Sequence, residues 1–158
     1  MSSPFDVLLK EFSASKGMDM DSAAYGLEFE CEDTQVFVVS HPLHEDRLLC
    51  EVGVASFDEL PPAAVTSLLL QINEAARFEH DWSIVMDGDW EVGLTTSAAL
   101  QGLTVAELEA LMLDGVERAQ VLKGMLQEVI AASSQESTQT SAAGAPALGL
   151  DPSMMMRG

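Results

Sequence analysis

What most constrains this chain is the order in which its hydrophobic spacing changes period. Apolar residues recur first at helical spacing, then alternate through three short segments. They return to helical spacing, alternate through two more segments and finish at helical spacing. Written as elements this is α-β-β-β-α-β-β-α. Strands joined by short loops run antiparallel, because a parallel connection needs a crossover of about a dozen residues or more. The predicted class is therefore α+β: a twisted antiparallel sheet packed against helices. A length of 158 residues suits one such domain and not comfortably two.

The local signals are specific. Ser3 before Pro4 is an N-cap followed by a good first helical residue, and Phe5, Leu8, Leu9 and Phe12 then share one face. Gly17 supplies the stop, and an Asp-rich connection over Met18 to Ser22 follows. Leu27, Phe29 and Cys31 alternate with Glu28, Glu30 and Glu32, which predicts a half-buried strand with an acidic outer row. Glu32, Asp33 and Thr34 are read as a turn, Val36 to Val39 as a second strand and His41 to Asp46 as a loop. Leu48, Cys50, Val52 and Val54 form the third strand of a meander.

Asp58 to Pro62 is read as the opening of the second helix, with Pro61 and Pro62 in its first turn. Its stripe is Val65, Leu68, Leu69, Ile72 and Ala76, and Leu70 lies off that stripe, which hints at a second contact surface. Trp82, Ile84 and Met86 alternate, Asp87-Gly88 is read as the turn, and Trp90, Val92 and Leu94 return. Thr104 and Glu107 make a capping box, with Leu103 and Leu108 as its hydrophobic staple. Leu111, Met112, Val116, Ala119, Leu122, Met125, Leu126, Val129 and Ile130 continue that helix to Ala132, about 40 Å at the standard rise. From Ser133 the composition turns to Ser, Thr, Gln, Ala, Gly and Pro. The expected organisation is a folded domain over residues 1–132 and a disordered low-complexity tail over 133–158.

Charge excludes several functions. Asp and Glu outnumber Lys and Arg by 26 to 7, leaving a net charge of −19. Such a surface repels phosphates and anionic lipid heads, so nucleic-acid binding and membrane-surface roles are disfavoured, and it attracts basic segments of a protein partner. No segment approaches the roughly 18 apolar residues of a membrane span, and the N-terminus lacks a signal-peptide apolar run. Cys31 and Cys50 read as reduced, buried thiols in strands of a cytoplasmic protein.

Chemistry-bearing motifs are sparse. His41, His44 and His80 have no accompanying nucleophile motif. Asp87-Gly88-Asp89-Trp90-Glu91 and Asp19-Met20-Asp21 do not complete a calcium loop. There is no phosphate-cradling glycine loop and no zinc-type spacing. The reading is of a non-enzyme that needs no cofactor and no metal.

On these features the chain resembles the class I type III secretion chaperones, small acidic bacterial cytoplasmic proteins with this element order. The resemblance covers about Pro4 to Ala132: the helix at Phe5 to Phe12, the meander from Leu27 to Val54, the helix at Val65 to Ala76, the hairpin from Trp82 to Leu94 and the helix from Thr104. The Ser- and Ala-rich extension is similar to that of the broad-specificity HpaB-type subgroup. The resemblance implies a homodimer built on Val65, Leu68, Leu69, Ile72, Trp82 and Trp90. It also implies binding of the non-globular N-terminal segment of secreted effectors, which are delivered to the ATPase or export gate of the secretion apparatus. An extended segment would add to the sheet edge and place apolar side chains near Phe5, Leu8, Leu9, Phe29, Phe37 and Val39. A YbjN-like regulatory interaction module of the same fold is the alternative.

Overall fold

Thirteen residues from Pro4 to Lys16 form helix α1, and both of its ends are closed as the sequence predicts. Ser3 Oγ accepts the Asp6 N–H at 3.1 Å, and the Asp6 carboxylate accepts the Ser3 N–H at 2.8 Å. The bonds from the Ser3 backbone and then its hydroxyl hold the Asp6 carboxyl below the usual carboxylate range. Gly17 takes the left-handed conformation that ends the helix (φ 65°), and the Met18 N–H closes back on the Ser13 carbonyl. The computed structural model describes residues 2–18, 26–79 and 81–142.

The remaining elements follow in the expected order: β1 Gly26–Cys31, β2 Thr34–Ser40, β3 Arg47–Ser56, α2 Ala63–Glu79, β4 Ser83–Met86, β5 Glu91–Ala99 and α3 Val105–Ala142. The strands form one antiparallel sheet in the order β1-β2-β3-β5-β4. The class is α+β. The β1–β2 turn is tighter than predicted. It uses Glu32 and Asp33 alone, both at positive φ (50° and 59°), so Thr34 already belongs to β2. A two-residue turn with left-handed centres matches the twist of its strands even without glycine.

Alternation sorts the sheet into two unlike faces. Leu27, Val36, Val38, Leu48, Cys50, Val52 and Leu94 are buried beneath the helices. α1 contributes Phe5, Leu8, Leu9 and Phe12 to this core, α2 contributes Val65 and Leu69, and α3 contributes Leu108, Met112, Val116, Ala119, Leu122 and Leu126. The opposite face carries Glu28, Phe37, Val39, Leu49, Glu51 and Ser97, all half-buried or exposed. Arg47 spans part of it, donating from its guanidinium to the Ser97 hydroxyl at 2.7 Å and carbonyl at 2.8 Å.

Three further local expectations change. Pro61 and Pro62 precede α2 instead of forming its first turn, because the Pro62 carbonyl accepts the Val65 and Thr66 N–H groups. The β4–β5 loop spans residues 87–90 and is not a two-residue Asp87-Gly88 turn. Asp87 Oδ1 accepts the N–H groups of Asp89 and Glu91, and Trp90, not Gly88, adopts positive φ (61°). Trp90 therefore belongs to the loop, and Trp82 immediately precedes β4.

The third change is the length of α3. Its start is as predicted, with Thr104 and Glu107 in a reciprocal cap and Leu108 fully buried. The helix continues to Ala142, past the expected boundary at Ala132. Residues 133–142 contain neither Gly nor Pro, and the Ser133 and Ser134 hydroxyls donate to the Val129 and Ile130 carbonyls one turn back. A tail-like composition is thus still compatible with helix until Gly144 and Pro146. The readings made for Asp19-Met20-Asp21, His80 and Met154 to Met156, and for the side chain of Ala76, fall outside the described residues and side chains.

Candidate functional site

Two grooves stand out among the described residues. The first, of 460 Å³, runs between α2, β4 and α3 and is lined by Ile72, Trp82, Ile84, Leu94, Val121 and Met125, with Asp114, Glu117 and Arg118 at its rim. Asp114 organises this rim: its Oδ2 accepts the Trp82 indole N–H and the Arg118 Nε–H, each at 2.8 Å. Val121 is 66% exposed, although it is apolar and sits mid-helix. The β4 edge beside this groove is partly closed, since Asn73 Oδ1 accepts the outward Ile84 N–H at 3.0 Å.

The second groove, of 560 Å³, lies where β2 ends beside β3 and is lined from both faces of the sheet. Its apolar floor includes Phe37, Gly53, Ala55, Val85 and Gly93. Asp33, Glu51, Asp87 and Glu91 border it, against a single cation, Lys123 of α3. A groove with a greasy floor and carboxylate banks suits apolar side chains interspersed with basic ones.

Among the described residues no three His, Cys, Asp or Glu side chains converge to hold a metal ion. The His41 and His44 rings pack at 4.7 Å, and His41 Nδ1 accepts the Leu43 N–H, which shapes their loop. Burial pushes the Cys50 thiol up to about 12 from its ordinary 9.0, with the charge of Glu51 adding to the shift. A thiol so reluctant to ionise is a poor nucleophile. Cys31, on β1, is half-buried and free. No described helix is long and apolar enough to cross a membrane.

No protein-family model and no curated protein matches the chain. Solved structures do. The ExsC–ExsE complex aligns with a TM-score of 0.62 over 76% of this chain and 91% of that one, at 25% identity. The HopA1–SchA chaperone–effector complex aligns at 0.61 over 77% and 94%, at 15% identity. The type III secretion chaperone SycH of Yersinia pestis, in complex with a stable fragment of YscM2, aligns at 0.55 over 75% and 98%, at 14% identity. This chain has the type III secretion chaperone fold.

Within the chaperone fold, the residues singled out from sequence separate into two groups. Phe5, Leu8 and Leu9 are core residues, with Leu9 only 1% exposed, so they do not line an open pocket. Phe29 is half-buried on the helix-covered face, where its ring lies 6.3 Å from that of Phe12. Phe37 and Val39 are half-buried on the opposite face. The six therefore do not form one site. The proposed interface set divides likewise: Val65, Leu69 and Trp82 are buried within the protomer, whereas Leu68, Ile72 and Trp90 are half-buried. The reason is common to both sets. Helical or strand spacing shows which residues share a face, but not whether another element already covers it.

What sequence reasoning missed is the material of the grooves. Val121 carried a signal of the kind noted for Leu70, an apolar side chain off the main stripe. Met125 was assigned to the buried stripe and is 39% exposed at the groove. Gly53, Ala55 and Val85 carried no signal, because their importance comes from how β2, β3 and β5 end relative to one another.

Proposed function

We propose that this chain is a bacterial cytoplasmic chaperone for type III secretion. It holds the non-globular N-terminal segment of secreted effectors, keeps that segment competent for export and passes it to the secretion apparatus. The observation that carries this reading is the correspondence, over three quarters of the chain, with secretion chaperones held in complex with an effector (SchA) or with a stable fragment of YscM2 (SycH). The surface supports it. A client without a core of its own needs apolar troughs for scattered hydrophobic side chains, and the groove at the end of β3 is one such trough. Holding needs no covalent step and no nucleotide. Ordering a flexible client costs conformational entropy, so contact must extend over a wide area.

Homodimerisation belongs to the same reading. Around α2, β4 and α3, exposed Leu70, Val121 and Met125 with half-buried Ile72 and Ile84 are the surface on which a second copy would close.

The test is retention of effector N-terminal segments from the same bacterium by the immobilised full-length chain. Selective capture of those segments, and not of the effectors' folded domains, is the expected result. A folded protein that retains none of them defeats the proposal.

A further inference from the structure

The ladder between β2 and β3 stops before β3 does. Its last pair is Val36↔Val52, yet β3 continues to Ser56, still paired with β5 through Ala55↔Val92 and Ser56↔Glu91. Gly53 still has Gln35 of β2 beside it, but from Val54 to Ser56 β3 pairs on one side only among the described residues. Two features open this gap. The β1–β2 turn is drawn towards α3, where Gln120 Nε2 donates to Glu32 Oε2 at 2.8 Å. β3 itself changes register between Gly53 and Ala55, and such a bulge bends a strand away from its neighbour. The acid-bordered groove lies at this gap, with Asp33 to Gln35 on one bank and Val54 to Ser56 on the other.

We propose that the free edge of β3 at Val54–Ser56 is a strand-docking site for a short extended segment that alternates apolar and basic side chains. Unpaired backbone groups at a strand edge recruit a further strand by main-chain hydrogen bonds, without regard to side-chain identity. Side chains then alternate in direction: apolar ones turn to the helix side, where Ala55, Val92 and Ala119 line the groove, and basic ones turn to the open face and meet Glu51, Asp87 and Glu91. The other edges fit less well. The outward Ile84 N–H of β4 is taken by Asn73, and β1 borders neither groove. This site rests on the client-holding reading and adds to it a location and a charge preference.

The test measures binding of dye-labelled synthetic peptides to the full chain by fluorescence anisotropy at low salt. One peptide alternates valine and lysine, a second alternates valine and glutamate, and a third is the lysine peptide N-methylated at every other amide. The lysine peptide should bind, and the other two should be weaker by about tenfold or more. Gly53→Phe should abolish binding. Gly53 has ordinary φ, and a Cβ there meets only Gln35, at 3.6 Å, so the ring fills the groove and leaves the melting temperature unchanged. Equal binding of the methylated peptide to the wild-type chain, or undiminished binding by folded Gly53→Phe, overturns the site. If Gly53→Phe still retains effector segments as the wild type does, the site falls and the chaperone reading stands. If the wild type binds the lysine peptide but retains no effector segment, the chaperone reading falls and the strand socket stands.

Discussion

Gly115 of α3 is the surface against which Trp82 packs. A Cβ built on Gly115 would lie 2.6 Å from Cη2 of Trp82 and 2.8 Å from Cγ2 of Val52. The contact joins α3 to the start of β4 and to the centre of the sheet, and the neighbouring Asp114 fixes the indole by its N–H. Gly115→Ala should therefore destabilise the protein. Alanine gains about 1 kcal/mol of helix propensity, but forcing a methyl into a packed contact costs about 1–3 kcal/mol. A net loss of about 1 kcal/mol is expected in urea unfolding. A gain would mean that the ring withdraws without cost.

Association and folding can be separated on α2 and α3. Leu69 is buried in the protomer, so Leu69→Asp should cost about 3 kcal/mol or more and unfold the chain instead of dissociating folded copies. Leu70 is 66% exposed, and Leu70→Asp should change stability by less than about 0.5 kcal/mol. Val121→Asp, in the groove between α2, β4 and α3, should likewise stay folded while shifting gel-filtration elution to that of a single copy. Unchanged elution would place the interface elsewhere.

The fold was legible where a signal was local. Ser3-Pro4 with Asp6, and Thr104 with Glu107, announce their helices because each cap closes within one turn. The sheet faces were legible because alternation through Leu48, Cys50 and Val52 survives into the structure intact. The β4–β5 loop was misplaced although its cause is local: the Asp87 carboxylate organises the turn, so Gly88 does not supply the left-handed residue. The second groove was not legible at all. It arises from the offset between the ends of β2 and β3, and pairing register is decided by contacts distant in sequence.

Cys50 makes stability depend on alkaline pH. Its thiol stays neutral up to about 12 in the folded chain and ionises near 9.0 when exposed. Below pH 9.0 both states carry the neutral thiol and its contribution is fully present. Between pH 9.0 and about 12 only the unfolded chain loses the proton, so stability falls, by up to about 1.4 kcal/mol per pH unit. Denaturant midpoints should drop more steeply over this window in the wild type than in Cys50→Ala. In native protein at neutral pH, a thiol reagent should modify half-buried Cys31 well before Cys50. Parallel slopes would show that the folded environment leaves the thiol unperturbed.

Truncation after Ser134 removes helical residues 135–142, of which Gln135 and Glu136 are exposed. The far-ultraviolet helix signal should fall, while the unfolding free energy changes by less than about 0.5 kcal/mol. A larger loss would mean that this last stretch packs.

Among the described side chains Ile130 is the last α3 hydrophobic packed against the core, and from there to Ala142 the helix runs on for about 18 Å at the standard rise. It works as a boom. A fluorophore or affinity handle joined beyond it starts clear of the sheet, so such a label can report on cargo without competing for its berth.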